Sequence, residues 1–204
     1  MPVHLLPCKT AYHVFKELAN DGTWTSINNL FGALVREKAG KGFRLTTVIM
    51  GSQSVKSDPH CGNVGYDGTK QIKGPKCHLL VDRLGLKVHV KPSSTAERQG
   101  AKHLLAPILC CLSWLRILWG DGGYIDNALA SWVHSLRSNV KVEVMKRSDK
   151  VCEFRIRPRH RVVERTFGWP MRYCRQVRDS ETKESHAEAF VCFAMILLQL
   201  RRLA

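Results

Sequence analysis

The order of elements along the chain predicts a mixed α/β domain in which helices flank one sheet. Three observations carry this. Apolar residues recur at helical spacing near both ends of the chain, and short β-branched runs joined by a hairpin turn fill the second quarter. Beyond them, helices alternate with single strands, the order that packs helices against a sheet. A chain of 204 residues suffices for one domain with a real core.

Residues 11–20 read as a helix, broken at Asp21-Gly22. A second helix over 23–38 places Trp24, Ile27, Leu30, Phe31, Leu34 and Val35 on one stripe. At Leu45 the period changes: Leu45 to Met50 is short, apolar and β-branched, and Gly51-Ser52 is expected to end this first strand. A loop rich in Gly and Lys runs on to Lys76. Residues 78–82 and 86–90 are predicted to pair as a hairpin around Asp82-Arg83-Leu84-Gly85. A helix over 96–112, interrupted by Pro107, leads to a fourth strand, Leu115 to Trp119, which delivers Asp121 at its end. Residues 125–137 read as helix and 140–145 as a fifth strand. A basic linker then leads to a helix bearing Glu164, and a last helix covers 183–203. Within the Glu164 helix, Val163, Phe167, Pro170, Cys174 and Val177 fall on a buried stripe, so Glu164, Gly168, Met171 and Arg175 form another face. No repeat or low-complexity tract interrupts this order.

Lys and Arg outnumber Asp and Glu by 32 to 17, a net charge of +15. Such an excess holds anions by electrostatics alone, and nucleic acid is the commonest partner. A membrane is a poorer fit, because no segment reads as a basic amphipathic helix with an aromatic anchor face, and the apolar run Ala189 to Leu198 is too short to span a bilayer. Met1 to Thr10 lacks the charged start and apolar core of a signal peptide, so a cytoplasmic, nucleoid-associated protein is expected. The eight cysteines include no C-x-x-C and read as reduced thiols. His60-Cys61 and Cys77-His78 bracket the Gly-rich loop, but structural zinc prefers ligands separated by two or more residues, so no zinc is expected.

Two acidic residues stand out against this charge. Glu164 lies among Arg159, Arg161, Arg165, Arg172 and Arg175, and Asp121 follows a strand within Gly120-Asp121-Gly122-Gly123-Tyr124. A lone Glu on a basic helix is ordinarily a surface salt bridge. Two separated carboxylates in so basic a chain point instead to metal-assisted chemistry on a polyanion. Lys70, Lys73 and Lys76 on the loop, with the Arg cluster around Glu164, are the candidates for clamping a phosphate backbone without sequence choice. Phe167 reads as core, whereas Trp169 is as fit to stack on a flipped base as to pack.

Several ordered runs also carry a family resemblance. Gly65-Tyr66-Asp67-Gly68, Lys73-Gly74-Pro75-Lys76-Cys77-His78-Leu79-Leu80-Val81-Asp82 with Leu84-Gly85, Gly120-Asp121-Gly122-Gly123-Tyr124, Val162-Val163-Glu164-Arg165-Thr166-Phe167-Gly168-Trp169 and the closing Leu200-Arg201-Arg202-Leu203-Ala204 resemble the successive signatures of bacterial insertion-sequence transposases of the DDE type. The resemblance covers nearly the whole chain. It implies a ribonuclease-H-like fold with a mixed five-stranded sheet flanked by helices. It also implies residues 1–44 as an N-terminal helical segment shortened relative to the family, 45–182 as the catalytic domain, and 183–204 as a helix packed on it. The implied activity is cleavage and strand transfer of double-stranded DNA at transposon ends and targets, by a homo-oligomer assembled on DNA. Magnesium or manganese would be held by an Asp on the first strand, an Asp after the fourth and a Glu on a late helix. Hard, oxygen-seeking ions suit that work because they share their shell with phosphate.

Asp121 and Glu164 carry over onto this pattern; the first Asp does not. Relatives resemble Asp-Ser-Gln-Ser-Val-Lys where this chain reads Gly51-Ser52-Gln53-Ser54-Val55-Lys56, and Gly51 can ligate nothing. Losing that carboxylate removes one negative charge from a site built for paired cations, so the transposase is expected to be defective. Asp58 and Asp82 are the possible substitutes, although an Asp in a hairpin turn is ordinarily structural. Pro170 and Arg161 also depart from the family, where Leu and Trp are typical, and a mid-helix Pro would cost about 3 kcal/mol. The alternative function is a catalytically inactive DNA-binding relic, or an inhibitor of an active transposase. A zinc-dependent regulator built on His60, Cys61, Cys77 and His78 is a third reading.

Overall fold

The computed structural model describes residues 7–42, 44–58, 65–68, 70–93, 97–120, 126–144 and 158–204, with backbone alone for 87–93, 97, 98, 158–160, 174 and 175. Helices α1 (Cys8–Asn20) and α2 (Thr23–Lys38) come first. Strand β1 (Thr47–Ser54), the short β2 (Lys56–Ser57), and a small ribbon of β3 (Tyr66–Asp67) and β4 (Ile72–Lys73) follow. The hairpin β5 (Lys76–Val81) and β6 (Lys87–Ser93) leads to α3 (Glu97–Cys111), β7 (Ile117–Gly120), α4 (Asn127–Leu136) and β8 (Lys141–Val144). Then come α5 (Pro158–Gly168), a 3-10 turn (Pro170–Arg172), α6 (Cys174–Val177), β9 (Arg178–Asp179) and α7 (Glu184–Leu203).

The main sheet has the order β6-β5-β1-β7-β8. The hairpin strands pair antiparallel, whereas β7 lies parallel to both β1 and β8, so the sheet is mixed. Alternation along β1 sorts its side chains between two cores. Val48 and Met50 join Leu80, Leu118 and the α3–α4 residues Leu104, Leu105, Leu129 and Val133. Ile49 faces the other way, with Leu79, Val81, Trp119 and Val163 of α5. Each face of the sheet therefore has its own helical cover, the arrangement expected from the element order.

The structure corrects several local expectations. β1 does not end at Gly51-Ser52: it runs to Ser54, and Gly51 pairs with Leu79 inside the ladder. Pro107 lies within α3 without ending it, held there by Leu104, Leu105 and Leu109, all buried against the sheet. On α2, Leu30 and Leu34 are exposed, and the buried pair is Asn28 and Val35. The reason is a polar contact, since Gln199 of α7 donates its side-chain amide to Asn28 Oδ1 at 3.2 Å. Pro170 is not inside the Glu164 helix. α5 stops at Gly168, and Pro170 is the first residue of the 3-10 turn, where its missing N–H costs nothing. Val177, predicted on the buried stripe of that helix, is exposed because the helix has ended before it.

The N-terminal helices are joined to α7 by an aromatic seam. Phe15 stacks on Phe190 with ring centroids 4.2 Å apart, and Trp24 meets Phe193 edge-on at 5.4 Å.

Candidate active site

Gly51 sits where β1 passes under α5. A Cβ built at this position would lie 2.3 Å from Cγ1 of Val163, well inside van der Waals contact. The missing side chain is therefore what lets α5 rest on the strand. Val163 is buried, and its neighbour Glu164 turns to the exposed side of α5. The Thr166 hydroxyl lies 3.2 Å from the Gly85 carbonyl and 2.8 Å from that of Val162, fixing α5 against the β5–β6 turn. Gly85 itself has φ of +76°, the left-handed conformation that favours glycine.

Asp121 follows Gly120, the last residue of β7, and lies outside the described residues. The register up to that point is clear: Thr47, Val48 and Ile49 stand opposite Ile117, Leu118 and Trp119 in parallel. On the same face the Trp119 indole donates to Glu143 Oε2 at 2.6 Å, and Lys141 pairs with Glu143 at 3.0 Å. This carboxylate went unnoticed in the sequence. The period-two pattern of Lys141-Val142-Glu143-Val144 already set Glu143 opposite in face to Val142.

Both possible substitutes for the first carboxylate already have basic partners. Asp82 is buried, accepts the backbone N–H groups of Leu84 and Leu86 at 2.9 and 2.8 Å, and pairs with Arg36 of α2. Its oxygens are consumed in closing the hairpin turn and anchoring α2. Asp58 is bound to Arg178 at 3.1 Å, beside the parallel β2–β9 ribbon. Nor do Cys77 and His78 make half of a zinc site. They are consecutive residues of β5, Cys77 against the α5-side core and His78 against Gly100 of α3, so they point to opposite faces. His60 and Cys61 lie outside the described residues. Among the described residues, no group of three or more His, Cys, Asp and Glu side chains gathers in a way that could hold a metal.

The basic candidates divide. Arg161, Arg165 and Arg172 are exposed, while the side chains of Arg159 and Arg175 lie outside the described residues. Lys70 and Lys73 are exposed on the β3–β4 ribbon. Lys76, read from sequence as part of a flexible loop, opens β5 half-buried and lies 3.6 Å from Asp67. Trp169 is half-buried, with the guanidinium of Arg202 4.5 Å and that of Arg165 5.1 Å from its ring centre. Burial first, then the like charge of Arg165, pulls the Arg202 pKa below its ordinary value. Engaged by two cations and packed against Gly85, the indole fits the structural one of the two roles its sequence allowed.

No helix among the described residues is long and apolar enough to cross a membrane. No curated protein matches the chain. Residues 44–200, in contrast, match the transposase DDE domain, a span from just before β1 to the last turn of α7. Covering most of the chain and all strands of the mixed sheet, this match shows that the protein belongs to the DDE transposase family.

Proposed function

We propose that this chain is an insertion-sequence transposase that holds DNA but is defective in cleavage and strand transfer, with Asp121 and Glu164 remaining from its carboxylate set. The observation that carries this reading is Gly51 lying under Val163. The first carboxylate is absent, and a β-branched side chain from the Glu164 helix stands in its place. Two further features support the site. Strand β7, whose end precedes Asp121 in the sequence, lies parallel beside β1, and Val163 brings α5 onto β1 at Gly51. On this reading residues 45–182 form a ribonuclease-H-like domain, 183–204 pack on it, and 1–44 are a helical segment before it.

The family generally uses divalent metal. The donor set here does not fit a pair of such ions, since one of three carboxylate positions is glycine and its space is filled. What this chain's residues supply is charge: Lys70, Lys73, Lys76, Arg159, Arg161, Arg165, Arg172 and Arg175 would neutralise phosphates, giving affinity that falls steeply with salt. The protein then acts on double-stranded DNA as an inactive relic, or as an inhibitor that joins an active homologue in oligomers at the nucleoid.

A gel-shift titration with and without magnesium or manganese tests this. Salt-dependent binding without cleavage is expected. Cleavage by the unaltered chain that Asp121→Ala abolishes would reject the defect.

A further inference from the structure

The ribbon of β3 and β4 pairs Tyr66 with Lys73 and Asp67 with Ile72. Successive side chains of a strand point to opposite faces, so Tyr66 and Lys73 share one face and Asp67 and Ile72 the other. Burial follows the same division: Tyr66 and Lys73 are exposed, Asp67 and Ile72 half-buried. The inner face is tied down. The Ser54 hydroxyl at the end of β1 donates to Asp67 Oδ2, Lys76 lies 3.6 Å from that same oxygen, and the Lys70 backbone N–H donates to Asp67 Oδ1 at 3.2 Å. The Gly74 N–H closes the ribbon onto the Gly65 carbonyl at 2.8 Å.

An isolated two-stranded ribbon is marginal in water, so this one holds its shape through Asp67. Anchored in this way, it presents Tyr66 at 69 % exposure, the most exposed large apolar side chain among the described residues. Single exposed apolar groups are ordinary. What sets Tyr66 apart is its company: exposed Lys73 directly across the ribbon and exposed Lys70 in the turn. A ring flanked by ammonium groups suits a ligand that alternates flat π-surfaces with anions. Ser54 is three residues along β1 from Gly51, about 10 Å at strand rise, so the ribbon stands beside the candidate site.

We propose that Tyr66 is a base-stacking residue, its ring lying against an unpaired base at a frayed or distorted end of the bound DNA while Lys70 and Lys73 hold the adjoining phosphates. Intact duplex offers only base edges in its grooves; a ring meets a base face only where the stack has opened. Trp169, the aromatic suggested by the sequence, is engaged by Arg165 and Arg202. This inference rests on the DNA-binding reading above.

The test compares the full chain and its variants on two probes of one sequence, a blunt duplex and a forked duplex carrying 2-aminopurine at the first unpaired position. The unaltered chain binds the fork more tightly and quenches the probe. Tyr66→Ala loses the quenching and weakens fork binding by about tenfold, with duplex binding unchanged, whereas Tyr66→Phe keeps both properties. Lys73→Ala weakens both probes and lowers the salt slope by about one. Equal behaviour of Tyr66→Ala and the unaltered chain on the fork, or an equal loss on both probes, overturns the stacking role alone. Failure of the unaltered chain to bind either probe overturns the DNA-binding reading beneath it.

Discussion

Gly51→Ala is the sharpest perturbation, because one methyl group interrogates the packing of β1 against α5. The added Cβ falls 2.3 Å from Val163 Cγ1, and the next nearest atom, Val163 Cβ, is 3.4 Å away. Valine has little freedom at χ1, so it cannot swing aside as a long side chain would. Overpacking of this kind costs about 1–3 kcal/mol. Replacing glycine offsets roughly 0.4–1 kcal/mol of that through the unfolded chain. Strain outweighs that gain, and a net loss of about 1–2 kcal/mol is expected, with the melting temperature falling by about 2–4 °C per kcal/mol at this chain length. Val163→Ala alone loses roughly 1–3 kcal/mol through its missing methyl groups and the gap they leave. In the double variant the new methyl enters that gap, so the losses should fall short of their sum by about 1–2 kcal/mol. Urea unfolding of the four proteins measures this directly. Additive losses, or a Gly51→Ala protein as stable as the original, would refute the contact. The same geometry governs restoration of the first carboxylate: Gly51→Asp by itself must displace Val163, so magnesium binding by calorimetry should emerge in Gly51→Asp/Val163→Ala before it does in Gly51→Asp.

Three further outcomes follow from groups elsewhere in the fold. Asp82→Ala removes the acceptor for two backbone N–H groups and leaves Arg36 with the Gly42 and Arg44 carbonyls but no counter-charge, so unfolding free energy should drop by about 3–5 kcal/mol, while DNA affinity of the folded protein stays constant; a fall in affinity would reopen Asp82 as a site residue. Asn28→Ala deprives the Gln199 amide of its buried acceptor and should cost about 1–3 kcal/mol in urea unfolding, against a negligible change if α2 and α7 were held by apolar contacts alone. Burial raises the Asp179 pKa above its ordinary value of 3.8, more than the Glu181 backbone N–H lowers it. The protonated form is thus favoured in the native state. Its stabilising effect is fully present below the unfolded value and is lost as pH rises through the folded one. Relative to Asp179→Asn, the unaltered protein should lose stability as pH rises above about 4, and parallel pH–stability curves would contradict this.

Period and turn chemistry made much of this fold legible. The β5–β6 hairpin follows from Asp82 and Gly85, one supplying acceptors for turn amides and the other a left-handed φ, and α2 has the limits that Asp21-Gly22 and its apolar spacing predict. Misreadings came where tertiary contact overrode local preference. Gly51 suggests the end of a strand, yet its pairing with Leu79 and the β5 partners that follow carry β1 past it to Ser54. The α2 stripe counted apolar residues and missed Asn28, because only a partner on α7 makes burying an amide acceptable. At the site, Gly51 and Glu164 were recognisable from motif order, but that Val163 would close over position 51 was not. It depends on the depth at which α5 sits on the sheet. Lys76 shows the same limit: the sequence places it on a flexible loop, and the fold opens β5 with it, half-buried beside Asp67.

Gly51 joins the β1–β5 ladder through its backbone, so deleting a side chain there leaves the pairing with Leu79 intact. A missing side chain at this point therefore opens no strand edge and bares no apolar surface of its own. On the reading proposed above, such a chain would persist as folded protein and could compete with intact copies for the same DNA.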